Sequence, residues 1–312
     1  ADPLPIAFNV TGGGSYCASV PTPIAIGLDG SEAGVNYVLV LDGATDIETV
    51  AGTGSAIGFT DQTTAGTYTV RAESSASCIE NMAGSAMIST DPLPTIFDVS
   101  GGGNYCAGAP VAQAISLSGS EAGVNYILVI DGTTDIETVA GTGAAINFTG
   151  QTTAGTYTVR AENGTTTCAE NMNASAIITI DPLPTIFDVT GGGSYCIGTP
   201  VAQGIGLSGS ESGINYILVL DGATDIETVA GTGAAIAFNP QTTPGTYTVR
   251  AENTATSCVE NMNGSAIVSA DPLPIAFNVT GGGSYCAGVP TPIAIGLDGS
   301  EAGVNYVLVL DG

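Results

Sequence analysis

Apolar residues alternate with polar or small ones over short runs, and the runs recur along the chain. Ile6, Phe8 and Val10 alternate with Ala7, Asn9 and Thr11, and Ile24, Ile26 and Leu28 with Ala25, Gly27 and Asp29. A period of two marks half-buried β-strands, whose successive side chains point to opposite faces. Val35, Tyr37, Leu39 and Leu41 form one face of a further strand. Val38 and Val40 make its other face apolar too, which predicts a central place in a sheet. Ile57 and Phe59 mark a shorter strand. Tyr68, Val70 and Ala72 point inward from the next, with Thr67, Thr69, Arg71 and Glu73 outward, and the stretch from Ala83 to Thr90 closes the unit. Gly12-Gly13-Gly14, Asp29-Gly30-Ser31, Asp42-Gly43 and Gly52-Thr53-Gly54 are the turns between them. No segment carries the 3.6-residue period of a helix. About seven short strands in one such unit predict an all-β fold, a two-sheet β-sandwich.

The unit repeats. Asp-Pro-Leu-Pro begins at Asp2, Asp91, Asp181 and Asp271, a spacing of 89 or 90 residues. Tyr16-Cys17 returns as Tyr105-Cys106, Tyr195-Cys196 and Tyr285-Cys286, and Gly66-Thr67-Tyr68 as Gly155-Thr156-Tyr157 and Gly245-Thr246-Tyr247. The organisation expected is three repeats, 1–90, 91–180 and 181–270, followed by the first half of a fourth, 271–312. The one change of length lies between Glu73 and Cys78, which is therefore a loop. Residues 271–312 match residues 2–43 except that Gly288 stands for Ser19. The half-repeat leads us to expect a stretch of a longer chain; the other reading is completion of the fourth sandwich by another subunit, as in donor-strand fibres.

Composition removes whole classes of function. The 312 residues carry 29 Asp and Glu against 3 Lys and Arg, for a formal net charge of -26, with 10% charged and 44% hydrophobic residues. That apolar share is enough to fold. There is no His, hence no imidazole base, no Ser-His or Cys-His pair and no His-ligated metal. The cations are Arg71, Arg160 and Arg250. A surface this acidic repels phosphate backbones and anionic membranes, so nucleic acid is not an expected partner. With no Lys, amide cross-links from Lys to Asn or Asp cannot form. No apolar run reaches the 18 or so residues of a membrane span, so direct membrane insertion is not expected either. Most of the acids recur at equivalent positions of each repeat, whereas an enzyme needs one cleft, so no catalytic residue is assigned.

Each complete repeat holds two cysteines: Cys17 and Cys78, Cys106 and Cys168, Cys196 and Cys258. An even count per repeat, without Cys-x-x-Cys spacing or His, reads as a disulfide rather than a metal site. The expected bridge lies within each repeat, from the segment before the second strand to the loop after the tyrosine strand, with a pair of buried thiols as the alternative. Closing such a loop stabilises a domain by about 4 kcal/mol. Cys286 has no partner within its half-repeat. Disulfides imply an oxidising, extracellular or cell-surface location.

The order Gly-Ser-Tyr-Cys, Gly-Leu-Asp-Gly-Ser-Glu-Ala-Gly-Val-Asn-Tyr, Val-Ala-Gly-Thr-Gly and Thr-Thr-Ala-Gly-Thr-Tyr-Thr-Val-Arg-Ala-Glu resembles the immunoglobulin-like tandem repeats of very long bacterial surface proteins of the Bacteroidota type. These occur as adhesins and as gliding-associated or extracellular filaments exported by type IX secretion. The Gly-x-Tyr before an alternating strand is similar to the tyrosine corner of immunoglobulin-like domains. No core Trp exists, and the cysteines lie outside the usual inter-sheet positions. The resemblance implies stalk or extender modules.

Other constellations are candidates for binding. Asp42, Asp46 and Glu48, repeated as Asp131, Asp135 and Glu137 and as Asp221, Asp225 and Glu227, supply oxygens of the kind Ca²⁺ takes, in turns that lack EF-hand spacing. A second Ca²⁺ candidate is each junction, where Asp91, Asp181 and Asp271 are joined by a loop acid such as Glu121. Asn9, Asn147, Asn163, Asn173, Asn263 and Asn278 stand in Asn-x-Ser/Thr sequons. Arg71 with Glu73, and their repeats Arg160 with Glu162 and Arg250 with Glu252, share an outer strand face. Two prolines in Asp-Pro-Leu-Pro make a short, semi-rigid linker, so that repeats extend rather than fold back. Outward strand positions are largely Ala, Gly, Thr and Ser, where an exposed strand usually carries charge, and such faces suit packing against copies of the same chain. The function expected is an extracellular fibre, filament or adhesin stalk. The alternative is a module binding surface glycan or calcium in each repeat.

Overall fold

The first repeat folds as the alternation predicts, with one complication at its start. In this computed structural model, which describes residues 3–310, its strands are β1 (Val10–Gly12), β2 (Gly14–Cys17), β3 (Ile26–Leu28), β4 (Asn36–Leu41), β5 (Thr45–Ala51), β6 (Ile57–Gly58), β7 (Gly66–Glu73), β8 (Ile79–Asn81) and β9 (Ala86–Asp91). Asp2 of the first junction and Asp311-Gly312 of the half-repeat lie outside the described residues. One sheet has the order β1-β3-β6; the other is β2-β9-β7-β4-β5, with β8 added along β7. Neighbours are antiparallel except β2 and β9, which run parallel with Cys17 opposite Asp91. No helix occurs among the described residues.

Of the two strands beyond the seven expected, one arises because the first strand divides between the two sheets and the other is the short β8 along β7. β1 pairs with β3 and β2 with β9, and Gly12 and Gly13 make the crossing at φ of 96° and 89°. A Cβ on Gly12 would lie 2.1 Å from the Ala25 carbonyl oxygen, and one on Gly13 2.7 Å from that of Met87. Only glycine combines this backbone conformation with so close an approach.

Between the sheets lies a core of Ile26, Leu28, Tyr37, Leu39, Phe59, Tyr68, Val70, Ala72 and Ile88. Burying each large side chain stabilises the fold by roughly 2–3 kcal/mol. β4 runs between β5 and β7, and Val38 and Val40 on its other face are 4% and 6% exposed, as its doubly apolar pattern predicts. Phe8 meets the Tyr37 ring edge-on, with centroids 6.5 Å apart.

By contacts the chain divides into two compact units, Ala1–Tyr105 with Ala109–Ile180, and Cys106–Gly108 with Asp181–Gly312. The first contains this sandwich and a second, built around Tyr126, Leu128, Tyr157 and Val159, in which the single strand Val99–Cys106 takes the place of both β1 and β2. The second unit contains a third sandwich around Tyr216, Leu218, Tyr247 and Val249, with its first strand again divided, at Val189–Gly191 and Gly193–Cys196. It also contains the half-repeat, where Val279–Gly281 pairs antiparallel with Ile295–Leu297. Sequence there stops short of any counterpart of β5 or β7, and Val307 to Leu310, which correspond to the buried end of β4, are exposed.

Candidate functional site: bridges between repeats

The cysteines of one repeat stand at opposite ends of its sandwich. Cys17 ends β2, the next backbone N–H (Ala18) donates to the Asp91 carbonyl at 3.0 Å, and the Tyr16 hydroxyl donates to the Thr63 carbonyl at 2.7 Å, ahead of the start of β7. Cys78 follows the far end of β7, across a turn in which Ser77 takes φ 60°. β7 has 8 residues, and at about 3.3 Å each it spans roughly 26 Å. A disulfide tolerates Cα separations of at most about 7 Å, so the two cannot bond.

The expected pairing within each repeat is therefore corrected. Cys17 bonds Cys168, with Cα atoms 5.4 Å apart, and Cys106 bonds Cys258, at 5.5 Å. Each bridge joins the early cysteine of one repeat to the late cysteine of the next, across 151 and 152 residues. Cys168 and Cys258 are fully buried. Cys78, Cys196 and Cys286 are free thiols, and the expected Cys196–Cys258 bridge does not form. Spacing could not show this, because a period of one repeat fits pairing within a repeat and pairing between neighbours equally.

The backbone that follows each linker is held by a carboxylate of the same repeat. Glu121 accepts from the Thr95 N–H at 2.9 Å and from its hydroxyl at 2.6 Å, three residues after Pro92, and Glu211 holds Thr185 in the same way at 2.9 and 2.7 Å. The Thr95 hydroxyl and N–H hold the Glu121 carboxyl below its ordinary pKa, and Thr185 does the same to Glu211. A carboxyl lowered on folding stabilises above its unfolded pKa and loses that contribution as pH falls through its folded one. Both oxygens of Glu121, the loop acid proposed for a junction Ca²⁺ site, thus already serve Thr95.

The acidic hairpins send their carboxylates to separate partners. Asp42, at φ 51°, accepts from Thr67 N–H at 2.9 Å; Asp46 pairs with Arg71 at 3.0 Å; Glu48 accepts from Thr60 N–H at 2.7 Å. Asp131, Asp135 and Glu137 repeat this with Thr156, Arg160 and Thr149, and Asp221, Asp225 and Glu227 with Thr246, Arg250 and Asn239. No three acidic or cysteine side chains gather around a metal-sized space among the described residues. Arg71 also meets Glu73 at 2.8 Å, but the pairing common to all repeats is the cross-strand one to Asp46, Asp135 and Asp225. These pairs are largely solvated and each contributes less than about 1 kcal/mol.

Four sequon amides donate to carboxylates: Asn9 to Asp29 at 2.7 Å, Asn173 to Asp98 at 2.6 Å, Asn263 to Asp188 at 2.6 Å and Asn278 to Asp298 at 2.7 Å. Asn163 closes a turn by accepting from the Thr165 and Thr166 N–H groups, and Asn147 lies exposed on a strand.

Two buried features recur at the same place in each sandwich. The Tyr68 hydroxyl donates to the Thr64 carbonyl at 2.8 Å, and Tyr157 and Tyr247 do the same to Thr153 and Thr243, which is the tyrosine corner. Ser31 donates to the Ser55 carbonyl at 2.6 Å and accepts from Thr53 N–H at 2.9 Å, and Ser120 and Ser210 repeat the arrangement. The sequence reading missed these serines, although each stands in a recurring Gly-Ser-Glu.

The two-sheet sandwich, the divided first strand and the tyrosine corner define tandem immunoglobulin-like domains. A scan against protein-family models found no match, and neither did a search of curated proteins. Among solved structures, the chain is similar to a Ca²⁺-stabilized adhesin that helps an Antarctic bacterium reach out and bind ice, at 19% identity, over 89% of this chain and 77% of that one, with a TM-score of 0.44. It is also similar to the full ectodomain of mouse nectin-like molecule 4, at 11% identity over 83% and 98% with TM-score 0.38. For the ICAM-5 D1–D4 ectodomain fragment the values are 14% over 83% and 76%, with TM-score 0.35.

Proposed function

We propose that the chain is the load-bearing part of an extracellular fibre, filament or adhesin stalk, in which tandem sandwiches are joined end to end both by the main chain and by disulfides. The bridge from each repeat to the next carries this reading. A bond inside a domain protects that domain, whereas a bond across a junction resists bending and separation there. The Pro-rich linker and the Glu121 and Glu211 clamps support the same reading by ordering the junction backbone. Bridges of this kind persist outside the cytosol.

Copies of the chain are its proposed partner. Met87, Ile177 and Ile267 occupy one position of the last strand in each sandwich and are 65%, 55% and 61% exposed, among outward neighbours that carry little charge. A large apolar side chain exposed at the same place in every repeat suits lateral packing of parallel fibres. Electron micrographs at physiological salt test this: the native chain is expected to form ordered bundles, and the triple variant Met87→Lys, Ile177→Lys, Ile267→Lys single threads of unchanged melting temperature. Bundles that survive the three charges, or a native chain found only as single threads, would sink lateral packing.

A further inference from the structure

We propose that the cleft beside the Cys17–Cys168 bridge binds a short neutral oligosaccharide, so that the chain is adhesive along its side and not only extended. Such a site does not require packing between copies, and the two are read by different experiments.

The first ground is a polar cleft with unused hydrogen-bonding capacity. Its volume is roughly 670 Å³, within the range of small-ligand sites. Ser15, Ser19 and Thr22, from β2 and the loop after it, line it together with Thr165, from the turn before Cys168 in the second repeat. Asp91, opposite Cys17 in the pairing of β2 with β9, lines it too. The disulfide, with Cα atoms 5.4 Å apart, ties the two walls together. The hydroxyls of Ser15, Ser19, Thr22 and Thr165 and the carboxylate of Asp91 have no hydrogen-bonding partner among the described residues. Asp42, Glu48 and Glu121, by contrast, spend their carboxylates on nearby threonines. Sugar hydroxyls both donate and accept, so they satisfy free side-chain hydroxyls and a carboxylate together. Val20, 61% exposed, and Ala169 supply the apolar patch on which the C–H face of a sugar ring loses its water. A single carboxylate is too few for Ca²⁺. No cation lines this cleft, and a chain of net charge -26 repels anionic glycans, which leaves a neutral one. Ser19, Val20 and Ala169 also border a second cleft of roughly 380 Å³, completed by Arg160, Glu170 and Asn171, with Arg160 already neutralised by Asp135 at 3.0 Å. The groove therefore runs on past one sugar ring and suits a ligand of two or more.

The second ground is that the lining departs from the repeat while the scaffold does not. The positions of Ser19, Thr22 and Thr165 are taken one repeat later by Gly108, Val111 and Ala255, so three of the four free hydroxyls are lost there. The cysteines that form the bridge, the tyrosine before the first of them and the aspartate of the linker stay the same, as Cys106, Cys258, Tyr105 and Asp181. Exposure alone does not bring such change: the edge strand β5, Thr45–Ala51, is largely exposed and recurs without a substitution as Thr134–Ala140 and Thr224–Ala230. A constant frame with a varied loop lining is how one fold presents different ligand sites. The hydroxyl set thus belongs to the junction of the first and second repeats, and the ligand it takes is not one bound in every repeat.

The test applies the full oxidised chain to an oligosaccharide array with two arms, neutral vertebrate-type surface glycans and fragments of the neutral microbial polysaccharides dextran and mannan. Sialylated glycans serve as the charged comparison, and calorimetry measures the affinity of what binds. Expected is binding of neutral structures of two or more sugars, with the arm that holds them identifying the source, and no binding of their sialylated forms. The triple variant Ser19→Gly, Thr22→Val, Thr165→Ala installs residues that the next junction already carries, so melting and the Cys17–Cys168 bond should not change. Its affinity should fall by more than about tenfold, as the loss of several hydrogen bonds requires. Asp91→Asn, which keeps the backbone carbonyl that accepts from Ala18 N–H, should weaken binding in the same way. Thr133→Ala, on an exposed turn where the other repeats carry Ala44 and Ala223, should leave it unchanged. The proposal is overturned if neither arm binds, if the triple variant binds as the native chain does, or if sialylated glycans bind better than neutral ones. Ordered bundles without glycan binding would overturn this site alone and leave the fibre reading standing.

Discussion

Tyr68 shows what a single side chain contributes, and why its role was legible. The ring is fully buried, and its hydroxyl reaches a carbonyl only four residues upstream. Donor and acceptor are thus fixed by local sequence, and Gly-x-Tyr suffices to identify the corner. Tyr68→Phe keeps the ring and leaves the Thr64 carbonyl without its partner. We expect a loss of about 1–2 kcal/mol, read as a lower urea midpoint with an unchanged slope. The acids of the neighbouring hairpin are the contrary case. Asp42, Asp46 and Glu48 stand together in sequence and suggest a shared ligand, yet their partners Thr67, Arg71 and Thr60 lie 25, 25 and 12 residues away. Strand pairing decides which neighbours they meet, and a run of acids does not encode that pairing.

Among the elements, alternation located the strands well because burial on one face leaves a period of two. It could not assign them to sheets. Ile6, Phe8 and Val10 give no sign that the chain crosses from one sheet to the other within the next few residues; that event is written in Gly12-Gly13-Gly14, which by itself reads as a turn. The crossing makes a prediction. Gly12→Ala places a Cβ against the Ala25 carbonyl while retaining φ 96°, and should destabilise the first sandwich by at least about 2 kcal/mol. Gly34 is a matched control: its φ is 89° but a Cβ there meets nothing within 4 Å, so Gly34→Ala should cost about 1 kcal/mol. Equal losses in the two melting curves would mean that backbone conformation, and not the close approach of the strands, is what demands glycine at the crossing.

For the whole molecule, the two bridges overlap along the chain, and this sets its response to force. Cys17–Cys168 and Cys106–Cys258 leave three chain segments in parallel between them, 17–106, 106–168 and 168–258. The shortest covalent route runs from the start to Cys17, across to Cys168, back to Cys106, across to Cys258 and on to the end. At about 3.5 Å per residue it is roughly 460 Å long, against about 1,100 Å for the reduced chain. Each bridge closes a loop of about 150 residues and so stabilises by about 5 kcal/mol in the chain-entropy description. Single-molecule pulling from both ends should therefore show the oxidised chain reaching its limit at less than half the reduced extension. The double variant Cys17→Ser, Cys168→Ser leaves one bridge, and its route, from the start to Cys106 and across to Cys258, should recover only part of the difference, to roughly 560 Å. A chain bridged within each repeat would behave otherwise, with three independent short-cuts and no parallel segments, and Cys17→Ser, Cys168→Ser would then open two of those short-cuts at once. An extension that increases by two separate loops of about 60 residues in that variant would therefore count against bridges between repeats and against the load-bearing role built on them.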